Sequence, residues 1–285
     1  MMGTKAWIII TDLDASLLDE AYSYKDAIDA LDFIHKSEIP LVLNSSKTLS
    51  EMLVIADKWR WKRKPILIGE NGATLAFPKL DGKVDPWSKY IKPTELLGDY
   101  FCVYDSAAHD RILTISNKLR INHSFKFDGF SDLSAESLAD LTGLSLQDSK
   151  RAKNRYATEP ILWHSSLEDW QSFKQKISAL GIKALRGGKF FHLMEAGYDK
   201  SIGMTSVLSL FKNRYSNVAW NTFAIGDSPN DRLMLEQSNL ALVIPNVEKG
   251  TMTLRRSDYH TAKFYSSKGW NSSVLEILNL NLIEI

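Results

Sequence analysis

The sequence predicts an α/β protein in which a parallel sheet is assembled from both ends of the chain and an α+β segment is inserted between them. Two observations carry this. Short, wholly apolar runs alternate with amphipathic stretches through the first third, and the same pattern returns after residue 199. Between them the texture changes to helices with scattered short strands. Strands buried on both faces of a sheet read as continuous apolar runs, and repeated strand–helix–strand units close with right-handed crossovers. The predicted division is a main domain from 1–85 and 199–285 with an insert at 86–198, and 285 residues suffice for both.

In order, "WIII" (7–10) is a first buried strand, and "YKDAIDALDFIHKSE" (24–38) places Ile28, Leu31 and Ile34 at helical spacing. "PLVLN" (40–44) is a second strand, "TLSEMLVIADKW" (48–59) a helix and "PILIG" (65–69) a third strand. "GATLAFPKLDGKV" reads as a hairpin turning at Asp81-Gly82. Within the insert, "FKF" (125–127), "PILWH" (160–164) and "KFFHLME" (189–195) are short strands. "DKSIGMTSVLSLFKN" is then a helix, "VAWNTFAIGDS" (218–228) a strand ending in carboxylate and glycine, and "LALVI" (240–244) another strand.

Composition excludes several function classes. Hydrophobic residues make up 44% and charged residues 24%, as in a globular domain, and a net charge of +1 gives no global field to recruit nucleic acid or an anionic membrane. Cys102 is the one cysteine, which excludes an intramolecular disulfide and a cysteine-built metal site. No stretch approaches the roughly 18 apolar residues of a membrane span, and the start is too short for a secretory signal. A cytoplasmic protein, monomer or homodimer, is expected. Most of its tryptophans are expected in the core, with Trp87 and Trp163 the exceptions that would face a ligand.

Ligands of an open parallel sheet bind beyond the carboxyl ends of its strands. Asp12 and Asp14 follow the first strand, Ser45 the second, Asp227 and Asp231 the late one, and Lys200 opens a helix. Each has an ordinary alternative: a turn-forming or capping Asp, a Ser45-Ser46 helix cap, a solvated lysine. Together they match one chemistry. Converging carboxylates need a cation, and an all-oxygen set suits Mg²⁺. A carboxylate beside that cation can attack a phosphoryl group. A second, two residues on, can pass protons, and a hydroxyl with a lysine can stabilise the phosphoryl oxygens.

The segments "DLDAS" (12–16), "NSSKT" (44–48), "DKS" (199–201) and "GDSPND" (226–231) resemble the four motifs of the haloacid dehalogenase superfamily. "GENGA" (69–73), the run from 129 to 162 and "GGKFFHLMEAGYDKS" (187–201) are similar to its mannosyl-3-phosphoglycerate phosphatase family, a cap-bearing, Cof-like branch. The resemblance implies a Rossmann-like core with an inserted α+β cap. It implies a Mg²⁺-dependent phosphatase that frees phosphate from mannosyl- or glucosyl-3-phosphoglycerate through an aspartyl-phosphate. Asp12 would be the nucleophile and Asp14 the general acid/base, whose backbone carbonyl also reaches the metal. Ser45 would bind the phosphoryl group, Lys200 neutralise it, and Asp227 hold Mg²⁺ with Asp231 as a direct or outer partner. Ser16, Ser46, Lys47, Glu70 and Asn71 would line the substrate site, with Arg155, Lys189 and His192 reaching in from the cap. Alternatives within this reading are a general sugar-phosphate phosphatase, a phosphomutase and an inactive sugar-phosphate-binding protein. The sequence departs from the family at Ala15-Ser16, where the pattern reads Gly-Thr; a positive φ at Ala15 would cost on the order of 1 kcal/mol, and Ser16 is expected to keep a local hydrogen bond.

Overall fold

A computed structural model describes residues 4–59, 61, 63–79, 87, 89–248 and 250–279. Strands β1 (Thr4–Thr11), β2 (Leu41–Asn44) and β3 (Ile66–Gly69) are parallel and joined through α1 (Ile28–Lys36) and α2 (Leu49–Lys58). β4 (Thr74–Pro78), β5 (Glu95–Leu97) and β6 (Tyr100–Val103) then extend the same sheet antiparallel. The insert follows as α3 (Ala108–His123), β7 (Phe127–Gly129), α4 (Ala135–Thr142), α5 (Leu146–Lys153), β8 (Thr158–Trp163), α6 (Leu167–Ala179), β9 (Ile182–Gly187) and β10 (Phe190–Glu195). The chain returns through α7 (Lys200–Arg214), β11 (Val218–Gly226), α8 (Arg232–Gln237), β12 (Leu240–Val243), β13 (His260–Thr261) and α9 (Ser266–Asn279). The large sheet runs β13-β12-β11-β1-β2-β3-β4-β6-β5, and a separate antiparallel sheet runs β7-β8-β10-β9.

The apolar runs are buried on both faces. Ile9 packs with Leu31 of α1, Met52 of α2 and Trp270 of α9. Its neighbours Ile8 and Ile10 face the opposite layer, with Met204, Val207 and Phe211 of α7. In the insert, Ile112 of α3 and Phe173 and Ile177 of α6 cover Phe127, Ile161 and Leu193 of the small sheet.

Register decides where the chemistry sits. Thr11 is aligned with Ile225 on one side and Leu43 on the other, and Gly226 with Val243. The four central parallel strands therefore end at one level, and the residues just beyond them share one edge.

The expected parallel strands and the return of the chain to one sheet are present. The Asp81-Gly82 turn lies outside the described residues. β4 uses both edges, against β3 and β6. Residues 95–103 consequently belong to the large sheet, and the separate sheet spans 127–195. β9 and α9 are among the elements with no clear sequence signal. β9 is half exposed, with Arg186 and Gly187 at its end, and α9 starts on a Ser-Ser-Lys-Gly run. Gly269 is needed there because a Cβ would meet the Phe264 carbonyl oxygen at 1.8 Å. Trp87 and Trp163 are packed in aromatic clusters, against Phe77 and Phe211 and against Phe125 and Phe173.

Candidate active site

Asp12 extends β1, its N–H bonded to the Ile225 carbonyl at 2.9 Å, and its side chain meets Lys200 Nζ at 2.5 Å. Lys200 Nζ also lies 2.6 Å from Asp231 Oδ1. Lys200 is 1% exposed, so the solvated-lysine alternative fails. It comes to this place because Asp199 caps α7 through the N–H groups of Ser201 and Ile202, while Asn44 at the end of β2 donates to the Lys200 carbonyl. Glycines allow the approach of α7: a Cβ on Gly72, at φ +97°, would stand 2.1 Å from the Asp199 carbonyl oxygen.

Asp231 is fully buried, and its Oδ2 accepts the N–H groups of Asp227 and Ser228 at 3.2 and 3.0 Å. Here the glycine of "GDSPND" has its reason, since a Cβ on Gly226 would meet the Asp231 side chain at 2.6 Å. Asp227 accepts from Asn246 Nδ2 at 2.5 Å. Asn246, absent from the sequence expectations, follows the β12 strand end; that position was its only available signal.

Asp12, Asp227 and Asp231 each offer an oxygen within 4.8 Å of one another. Burial pushes the Asp12 carboxyl well above the ordinary range; Lys200 opposes this, and Asp231, Asp227 and Asp14 reinforce it. Burial also works against the Lys200 charge, yet Asp12 and Asp231 outweigh it and hold its pKa above that of an ordinary lysine. Three carboxylates facing one ammonium leave negative charge in excess, and this oxygen-only donor set fits a hard divalent cation.

The loop after β1 is tight, with Leu18 N–H returning to the Leu13 carbonyl at 2.8 Å. Ala15 within it has φ +57°, so its Cβ is in the costly left-handed region. Ser16 Oγ is buried without a hydrogen-bond partner, so the local bond expected of it is not formed. Asp14 has a 42% exposed side chain and pairs with Lys47 Nζ at 3.0 Å. After β2, Thr48 rather than Ser45 or Ser46 caps α2, in a capping box with Glu51. The two serines are thereby free of that duty. Ser45 is fully buried and accepts the Lys47 N–H at 3.2 Å, and Ser46 lines the cavity.

That cavity, of about 470 Å³, is walled by Asp12, Asp14, Asn71 and Asp227 on the sheet side and by Arg186, Gly187, Gly188 and His192 on the insert side. Asn71, at φ +55°, receives a hydrogen bond from Asn230 at 3.3 Å. Glu70 is elsewhere: fully buried, it accepts from Tyr156 N, Ala157 N and Thr158 Oγ1 and so ties the insert to the sheet. Arg155 donates to the same Thr158 hydroxyl at 2.8 Å and sits behind His192 rather than on the cavity wall. Burial, and then the Arg155 charge, push His192 down to about 3. Gly187 admits its ring, since a Cβ there would lie 2.8 Å from His192 Nε2. Lys189 is exposed, bonded to the Leu141 carbonyl and away from the cavity. Arg186, three residues earlier at the end of β9, is among the cavity-lining residues. The sequence held that arginine in "RGGKFFH"; by register it pairs with Phe191 and its guanidinium lies 6.0 Å from that ring, so it reaches the cavity rim from the hairpin end rather than from the face that carries His192.

The strand ends of the large sheet thus converge on buried carboxylates and a lysine, within an α/β fold. The chain belongs to the haloacid dehalogenase-like hydrolase family, whose pattern matches residues 9–254. It is 34% identical over 277 residues to a Persephonella marina protein named glucosyl-3-phosphoglycerate/mannosyl-3-phosphoglycerate phosphatase, covering 95% of this chain and 97% of that one. A protein of the same name from Methanococcoides burtonii is 29% identical over 276 residues, with 96% and 98% covered. Among solved structures, a haloacid dehalogenase-like hydrolase from Bacteroides thetaiotaomicron superposes with a TM-score of 0.61 at 16% identity, covering 96% of this chain and all of that one. The sucrose-phosphatase of Synechocystis gives 0.59 at 11% identity, covering 96% and 98%. These two share the fold. Among the described residues no helix is long and apolar enough to cross a membrane.

Proposed function

We propose that this hydrolase is a phosphatase of mannosyl- or glucosyl-3-phosphoglycerate, acting in the cytoplasm with Mg²⁺. The observation that carries the chemistry is the buried junction of Asp12 with Lys200, Asp227 and Asp231 at the strand ends. The near full-length similarity to two proteins named for these substrates supports the choice of ester.

In this reading Asp12 attacks phosphorus, the bond to the leaving oxygen breaks, and Asp14 gives that oxygen a proton. Asp14 then takes a proton from the water that cleaves the aspartyl-phosphate, releasing inorganic phosphate and restoring Asp12. Lys200 has spent two of its three N–H donors on Asp12 and Asp231, and the third is available to a phosphoryl oxygen. Ser45 accepts from Lys47, which leaves its own O–H to donate there too. Asp12, Asp227 and the Asp14 carbonyl would hold Mg²⁺, which neutralises the phosphoryl charge when bound. Both oxygens of Asp231 are engaged by Lys200 and by backbone N–H groups, so it serves as an outer partner. The insert acts as the lid that selects the sugar and excludes water, with His192 and the β9–β10 hairpin end from Leu185 to Gly188 lining the leaving-group side of the cavity.

Phosphate release from both glycosyl phosphoglycerates, with Mg²⁺ or with chelator and with Asp12→Asn as blank, tests this. Metal-dependent release that the variant loses is expected. Hydrolysis of p-nitrophenyl phosphate with neither natural ester turned over would overturn the substrate and leave the chemistry.

A further inference from the structure

Lys47 belongs neither to the acid cluster nor to the cavity wall, yet its ammonium is built in. Its side chain is 14% exposed, and the Tyr22 ring lies 4.6 Å from Nζ. Burial works against its charge, and the Asp14 and Glu51 carboxylates more than restore it. The backbone is fixed as well: Lys47 N–H is bonded to Ser45 Oγ and its carbonyl accepts from Glu70 N–H at 2.9 Å. A lysine anchored at both ends of its side chain is suited to hold something still. What it touches is Asp14 Oδ1, which among the described residues has no other partner.

Asp14 needs such a tether. It stands two residues from Asp12 with a 42% exposed side chain, beside three carboxylates that gather within 4.8 Å, and its own carboxylate is not among them. A free carboxylate there could turn inward to the same cation, and one engaged as a metal ligand no longer carries protons.

We propose that Lys47 is a positioning residue whose ion pair holds the Asp14 carboxylate out of the acid cluster and keeps it available to the leaving oxygen. This rests on the phosphatase reading above, and it replaces the role of substrate contact expected for Lys47 from the sequence.

The test compares a glycosyl phosphoglycerate, whose alkoxide leaving group needs a proton, with p-nitrophenyl phosphate, whose leaving group does not. Lys47→Met should lower kcat on the alkyl ester at least about ten-fold further than on the nitrophenyl ester. Lys47→Arg should restore most of that difference, and in an Asp14→Asn background Lys47→Met should add no further selectivity. Residual nitrophenyl phosphatase activity reports that the variant is folded. Equal losses on both esters, or a raised KM with the kcat ratio intact, would overturn the proposal and leave the phosphatase reading standing. If the unaltered protein hydrolyses neither ester, both fall together.

Discussion

On the sheet side of the cavity Asp12, Lys200, Asp227 and Asp231 are each at most 4% exposed and are joined by hydrogen bonds. On the insert side Arg186, Gly187 and Gly188 are exposed, and His192 keeps a buried Nδ1 with no partner. Under the proposed function the difference follows from the work of each wall. Charge must be stabilised on a phosphoryl group common to all substrates, so the sheet wall is preorganised and closed to rearrangement. In the proposed function the leaving group is recognised from the insert side, whose cavity-lining residues Arg186, Gly187 and Gly188 are exposed.

The strongest way to break the sheet wall is to remove its cation. Lys200→Met leaves buried carboxylates uncompensated and should cost about 3–5 kcal/mol in denaturant unfolding, together with the loss of phosphatase activity. Stability within about 0.5 kcal/mol of the parent would show that the junction is not tightly coupled. Gly226→Ala comes next: its Cβ forces Asp231 aside, with an expected cost of about 1–3 kcal/mol and a fall in kcat.

The lid should respond differently, in KM. Arg186→Ala is expected to raise KM about ten-fold with a smaller change in kcat, whereas Lys189→Ala, on a lysine held by the Leu141 carbonyl, should change neither. Arg155→Ala should also raise KM more than it lowers kcat, here through His192. Steady-state kinetics on the same ester ranks all three, and a Lys189 effect larger than that of Arg186 would reverse the assignment of the wall.

His192 sharpens the comparison through pH. Its folded pKa of about 3 lies below the unfolded value near 6.5, so the unfolded chain binds the extra proton. Stability is therefore lost as pH falls from about 6.5 toward 3, and His192→Gln should flatten that limb in a pH series of melting curves. The smallest effect is at Ala15. Relieving its φ of +57° by Ala15→Gly should stabilise the protein by up to about 1 kcal/mol, partly offset by the entropy of glycine in the unfolded chain. A destabilised Ala15→Gly protein would mean that the Ala15 Cβ makes compensating contacts.

The sequence alone was sufficient for the two-part sheet and for placing Asp12, Ser45 and Asp227 just past strand ends and Lys200 at a helix start, because buried parallel strands leave unbroken apolar runs and polar groups fall at their ends. It also marked Ala15 as a departure, though not the sign of φ that makes the departure cost something. Only the tertiary structure decided which neighbours these groups hold. Glu70 sits three residues past Leu67 in an acid-bearing loop, and nothing local tells whether it faces a ligand or, as found, the backbone of residues 156 and 157. Lys47 and Lys189 look alike in sequence, yet one is folded onto Asp14 and the other onto a helix carbonyl. Periodicity reports which face of an element is buried, whereas a polar side chain takes its role from partners far off in the chain, 188 positions away for Lys200 and Asp12, and that pairing exists only once strands from both ends of the chain are in register.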